Sequence, residues 1–131
     1  MAVGLGVILD TCAVLFLASG DRRLSAATRK RMAVEPVRWL CTISGFEIAM
    51  KYRQGKLALP MHPMEWLRAV EERYSLSPLP LDTELCVSAA ELPDHHRDPC
   101  DRFIIAAALR LRVAVVTVDD KFLPYGVDIL S

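Results

Sequence analysis

Residues 98–112 constrain this chain more than any other stretch. Asp98-Pro99-Cys100-Asp101-Arg102 opens a helix. Asp98 can accept from the free N–H groups of the first turn, and Pro99 suits the first helical position, where its missing donor costs nothing. Residues 103–109 and Leu111 are all apolar, and polarity returns only at Arg110 and Arg112. A helix apolar on nearly every side is normally buried. Asp101, in its first turn, therefore stands where the helix meets a core, and a carboxylate there needs a partner. The rest of the chain has to supply it.

Two further apolar runs, both rich in β-branched residues, also stop at acids. Residues 3–9 read as a buried first strand ending at Asp10, and residues 113–118 as a later strand ending at Asp119-Asp120. Residues 37–44 form the second strand. Directly behind it, Ser44-Gly45-Phe46-Glu47 has the S-x-x-E form of a capping box, opening a helix that runs to about Gln54 and ends at Gly55. Between and beyond these lie a short apolar helix over 11–18, a basic one over 24–32 capped by Ser25, and an amphipathic one over 63–74. Residues 79–81 make an extended piece weakened by proline, Asp82 caps a helix to about Leu92, and 126–130 add a last edge strand. Trp39 and Trp66 read as core. Strands that alternate with helices and are apolar on both faces indicate an α/β fold, its parallel sheet covered on both sides.

At 131 residues and 53% hydrophobic content, residues 1–131 make one domain with ample core. Sixteen basic and sixteen acidic residues cancel, but not locally. Between positions 21 and 56 nine Lys/Arg face three acids, 9 − 3 = +6, which leaves 7 − 13 = −6 elsewhere. Such a face can hold a polyanion, and a solvated helix surface explains the same arginines. The cysteines at 12, 41, 86 and 100 form no C-x-x-C pair, which fits a reduced, cytoplasmic chain rather than a disulfide framework or zinc site. The apolar N-terminus imitates a signal peptide or membrane helix. No basic residue precedes it, however, and Asp10 at its centre would cost roughly 2.5–3.5 kcal/mol to insert. Two elements joined at Asp10, with no membrane partner, is the better reading.

Asp10, Glu47 and Asp119 all fall at or just past the carboxyl ends of strands, the rim where parallel α/β sheets place their functional crevice. Asp101 can face the same crevice if its helix starts at that rim. Carboxylates gathered there raise one another's pKa until protons or a cation resolve the repulsion. An all-oxygen cluster suits Mg²⁺ or Mn²⁺, and such ions serve phosphodiester hydrolysis. Thr11, Ser44 and Thr117 can orient waters or ligands nearby. Each acid also has a structural use: Asp10 as a strand-end turn, Glu47 as half of a capping box, Asp98 as a cap, Asp101 as a charge on the helix dipole, Asp119-Asp120 as an Asx turn. His95 and His96 lack a third ligand at a zinc spacing and read as loop residues.

Four segments in order, Val7-Ile8-Leu9-Asp10-Thr11, Ser44-Gly45-Phe46-Glu47-Ile48-Ala49, Asp98-Pro99-Cys100-Asp101-Arg102-Phe103-Ile104-Ile105-Ala106 and Val115-Val116-Thr117-Val118-Asp119, resemble the PIN-domain ribonucleases. More narrowly they resemble the VapC-type toxins of prokaryotic toxin–antitoxin pairs, one branch of which is also suggested by KYRQGKLALP at 51–60 and LPDHHR at 92–97. The resemblance implies a three-layer α/β/α fold with a parallel sheet of four to five strands. It implies a homodimeric, Mg²⁺- or Mn²⁺-dependent endoribonuclease inhibited by a VapB-like antitoxin whose C-terminal segment enters the active-site groove. Carried over residue by residue, Asp10, Glu47, Asp101 and Asp119 are the acidic quartet, with Asp98 accessory. Arg22, Arg23, Arg29, Lys51, Arg53 and Arg102 are candidates to hold the RNA backbone.

Other acid-pocket folds fit less well. A haloacid-dehalogenase-type phosphatase needs a second Asp where Cys12 stands, and a response-regulator receiver carries its paired acids after the first strand rather than near the end. The non-enzyme alternative is an inactive PIN-like module that binds RNA or protein. A binder gains nothing from an expensive negative cluster.

Overall fold

The computed structural model describes residues 4–131. Five strands, β1 (Val7–Leu9), β2 (Arg38–Cys41), β3 (Leu76–Leu79), β4 (Ala114–Val116) and β5 (Ile129–Leu130), form one sheet in the order β3-β2-β1-β4-β5, and every pairing is parallel. Among the described residues six α-helices cover it: α1 (Thr11–Ser19), α2 (Ala26–Ala33), α3 (Ile43–Arg53), α4 (Pro63–Tyr74), α5 (Thr83–Glu91) and α6 (Pro99–Leu111). A 3-10 helix, Asp120–Tyr125, joins β4 to β5. The expected three-layer α/β/α architecture is what forms.

Alternation along the central strands divides the core. Ile8 and Val115 point into one layer with Leu85, Ala89, Ile104, Ile105 and Phe122. Val7, Leu9, Leu40 and Val116 point into the other with Ala13, Val14, Leu17, Ile48, Trp66 and Val70. Val7, Ile8 and Leu9 are withdrawn from water, which contributes about 1.5–3 kcal/mol each. Gly6 makes this insertion possible. Its φ is +91°, and a Cβ there would sit 2.2 Å from the carbonyl oxygen of Val37.

Several boundaries differ from the sequence reading. Val3 lies outside the described residues, and the strand proper begins at Val7. The second strand stops at Cys41, three residues before Ser44. Ser44 is accordingly inside α3, whose N-cap is Thr42 with no side-chain cap bond, so the Ser44–Glu47 capping box does not form. The proline-weakened piece is β3, placed upstream of 79–81 and containing Pro78. It lies at the sheet edge, where a missing donor is tolerated.

Two consequences position the site. The chain leaves β1 for β2 on one side, and β4 lies on the other, so the strand order reverses at β1 and opens a crevice beyond its carboxyl end. Helix α6 returns the chain to the start of β4 through Arg112 in a left-handed conformation. Its first turn is therefore at the opposite end, beside the carboxyl ends of β1 and β4. Asp101 faces the rim where Asp10 ends its strand.

Candidate metal centre

Asp10 sits between β1 and α1 and is 3% exposed. Its backbone is extended, and it caps α1 by accepting the Ala13 N–H on Oδ1 at 2.7 Å. Its Oδ2 accepts the Thr117 hydroxyl at 2.5 Å. Thr117, just past β4, in turn accepts the Asp119 N–H at 3.0 Å. One hydroxyl thus links the ends of two adjacent strands. Burial pushes Asp10 up to about 6; the bonds from Thr117 and Ala13 oppose the rise, and Asp119 and Glu47 add to it.

Thr11 and Ser44 share a buried hydroxyl–hydroxyl bond of 2.9 Å that pins the start of α1 to α3. Glu47 lies one turn further along α3. Its Oε2 pairs with Lys51 at 3.1 Å, and its Oε1 is shielded from solvent with no hydrogen-bond partner. Freed from a capping box, this carboxylate has an oxygen to offer.

Asp98 caps α6 through a 3.0 Å bond from the Cys100 N–H. Asp101, in the first turn, is 16% exposed and pushed up to about 8, first by burial and then by Asp98, Asp10, Glu47 and Asp119. Asp119 caps the 3-10 helix through the Lys121 N–H at 2.9 Å and is partly exposed. Acids from four separate points of the chain therefore act on one another at one rim of the sheet.

A match to the PIN domain family model spans residues 7–126, nearly the whole chain. This chain is a PIN domain. It is similar in fold to FitAcB from Neisseria gonorrhoeae, with 18% identity, a TM-score of 0.67, and coverage of 95% of this chain and 96% of that one. It is also similar to FitAB bound to an IR36 DNA fragment (19%, TM-score 0.61, 94% and 92% covered) and to PAE2754 from Pyrobaculum aerophilum (16%, 0.56, 99% and 93%). No curated protein matches it.

Within the PIN domain the six basic candidates divide by what their donors already hold. Arg29 donates to the carbonyls of Phe16, Leu17, Asp21 and Leu24, closing the end of α1. Arg102 donates to those of Ala89, Ala90, Leu92, Pro93 and His96, closing the end of α5 and the loop behind it. Both guanidinium groups are committed to the fold. Arg23 pairs with Asp21 at 2.7 Å and stacks over Phe16, while Lys51 holds Glu47. Arg22 and Arg53 are exposed.

The donor set fits a hard divalent ion. Asp10 is buried, Glu47, Asp98, Asp101 and Asp119 are partly buried, their charges raise Asp10 and Asp101, and Glu47 Oε1 is orphaned; a cation would offset the repulsion and engage the free oxygen. Ligand atoms of Glu47, Asp98 and Cys100 lie within 4.8 Å of one another. Burial and the surrounding acids push the Cys100 thiol up to about 12, and a hard ion prefers oxygen to sulfur, so the carboxylates are the donors.

Sequence reasoning missed His96. His95 is an exposed loop residue packed edge-on against Tyr125, but His96 is buried, with Nε2 2.9 Å from Asp101 Oδ2 and 3.4 Å from Asp119 Oδ2. Its place two residues before the Asp98-Pro99 helix start was the available signal.

Proposed function

We propose that this PIN domain is a divalent-metal-dependent endoribonuclease, Mg²⁺ or Mn²⁺ being the ion, that hydrolyses RNA phosphodiester bonds as the toxin of a toxin–antitoxin pair. What supports the reading is that Asp10, Glu47 and Asp119 act electrostatically on Asp101 beside the strand-order reversal, Asp101 being raised to about 8 first by burial and then by Asp98 and these acids. Asp10, Glu47 and Asp101 would hold the ion, Asp119 would reach it through water or hold a second, and Asp98 is accessory. When bound, the ion supplies an activated water and neutralises charge developing on the phosphate.

The chain's own residues do the orienting. Thr117 and the Ala13 N–H fix both oxygens of Asp10, the Thr11–Ser44 bond fixes the helix carrying Glu47, and Lys51 holds one Glu47 oxygen. With Arg29 and Arg102 engaged in the fold, Arg22 and Arg53 are the better candidates for phosphate contacts, with Arg23 and Lys51 available if their pairs open. The toxin role, a homodimer and a VapB-like antitoxin are supported by the VapC-like segments. The likeness to FitAB, itself bound to a DNA fragment, is in keeping with that reading. Phe46 and Met50, exposed one turn apart on α3, give an antitoxin segment apolar surface to cover. No described helix is long and apolar enough to cross a membrane, in keeping with a cytoplasmic setting.

The test is to incubate the purified chain with transfer, ribosomal and messenger RNA, with Mg²⁺, Mn²⁺ or chelator, and to map the cut ends. Metal-dependent cleavage is expected. RNA retarded on a gel yet uncut in either metal would favour the inactive binding module instead.

A further inference from the structure

His96 is in contact with two of the four acids, yet it belongs to neither of their elements. Every other contact it makes is settled. Its backbone N–H donates to the Tyr125 hydroxyl at 2.7 Å, Tyr125 donates onward to the Pro93 carbonyl at 2.6 Å, and the imidazole packs edge-on against Phe122 at 5.7 Å. Its Nδ1 accepts the Asp98 N–H at 3.3 Å. The ring is 6% exposed, and Nε2, shielded from solvent, lies between the two Oδ2 atoms without being aligned on either.

Two readings of that nitrogen compete. Nε2 and one oxygen each of Asp101 and Asp119 lie within 4.8 Å of one another, a set that could hold an ion directly. A nitrogen ligand needs a free lone pair, and a ligating imidazole normally donates its other N–H to an acceptor. Here the other nitrogen faces a donor. With Nδ1 accepting from Asp98, the proton sits on Nε2, which then has nothing to give a metal. That N–H then lies between two carboxylate oxygens, at 2.9 and 3.4 Å, and is aligned on neither.

We propose that His96 is a positioning residue for the acid cluster: an imidazole whose Nε2–H sits between Asp101 on α6 and Asp119 beyond β4 and can turn to either. It sets the two carboxylates relative to each other before any ion arrives. This rests on the metal-dependent reading above, which it deepens by naming what orders the ligands.

The test uses the full chain with Mn²⁺ as the probe, followed by calorimetry and electron paramagnetic resonance. His96→Leu keeps apolar volume against Phe122 and removes the donor, whereas His96→Gln keeps an N–H near Nε2. We expect the Leu variant to bind Mn²⁺ about tenfold more weakly. The Gln variant should stay within about threefold of wild type, and wild-type Mn²⁺ should show no coupling to a directly bonded ¹⁴N. Equal affinity in the Leu variant, equal loss in both variants, or a ¹⁴N coupling that His96→Leu removes would each overturn the proposal. Wild-type protein that binds no Mn²⁺ at all would instead sink the nuclease reading and this inference with it. Should the Leu variant fail to fold, the ring ¹⁵N shifts of the wild-type protein decide: an Nε2–H tautomer is expected, and an Nδ1–H tautomer overturns the assignment.

Discussion

Asp10 and Asp101 are the two acids of the cluster that burial pushes up, and they respond to it differently. Asp10 is buried and Asp101 only partly so, yet Asp10 rises only to about 6 while Asp101 rises to about 8. Burial alone would order them the other way. The difference lies in what meets the oxygens. Asp10 accepts hydrogen bonds from Thr117 and Ala13, which stabilise its charge, whereas the leading influences on Asp101 after burial are four other carboxylates. One half of the cluster is built to carry charge unaided; the other half waits for a cation.

The largest expected effect tests both halves together. Asp10→Asn and Asp101→Asn should each reduce cleavage on the order of a thousandfold or more, because each removes a charge that helps hold the ion. Undiminished cutting by either variant would remove that residue from the centre. Stability should separate them. In chelator near neutral pH, Asp101→Asn removes the cost of keeping a buried carboxyl protonated that the unfolded chain ionises, and raises the melting temperature, while Asp10→Asn disturbs a hydrogen-bonded cap and gains less.

The pH dependence of stability sharpens the same contrast. Both acids are raised above the ordinary 3.8, so above that pH the folded state keeps protons that the unfolded chain has released. Metal-free stability therefore falls as pH rises, up to about 6 through Asp10 and on to about 8 through Asp101. Mn²⁺ should reverse this, raising the melting temperature little at pH 5 and most at pH 8. Asp101→Asn should flatten the upper part of the metal-free curve and Asp10→Asn the lower. Thermal melts with and without chelator read all of it, and a flat wild-type curve would refute the assigned environments.

The contrast also marks what could be seen without coordinates. Asp10 and Asp101 stood out because apolar residues flank them closely in sequence, and burial by near neighbours is a local property. Their rim was legible too, since parallel strands share a carboxyl end. Glu47 was found at its position with its neighbour misjudged: apolar residues continue to Ile43 past the end of the strand, and only the sheet register shows that the strand stops at Cys41 and leaves Ser44 inside a helix. The burial of His96 was hard to see because Tyr125 and Phe122, which enclose it, come more than twenty residues later. Arg29 and Arg102 looked like RNA contacts because nothing in a sequence shows which helix ends leave carbonyls unsatisfied. The strand at Leu76–Leu79 was hidden by Pro78, which an edge tolerates.

A smaller effect is expected from Thr117→Val, which removes the bond that holds Asp10 down. A hydrogen bond to a charged group is worth about 1.5–3 kcal/mol, so activity at neutral pH should fall roughly ten- to a hundredfold. Part of that loss should be recovered at higher pH, because Asp10 without Thr117 needs more alkaline conditions to ionise. A loss uniform across pH would mean that Thr117 acts through the Asp119 backbone rather than through Asp10.

The smallest effect belongs to the hydroxyl pair beneath the site. Ser44→Ala leaves the Thr11 hydroxyl buried without its partner, a cost of about 1–3 kcal/mol that a denaturant titration would register as a lower midpoint with unchanged slope. The bond touches no carboxylate, so cleavage should drop only a few-fold, through slackened placement of Glu47 one turn along α3. A Ser44→Ala variant as inactive as Asp10→Asn, yet folded, would give Ser44 a direct part in the chemistry. The well-bonded half of the cluster would then include a hydroxyl that contacts substrate rather than one that only holds two helices together.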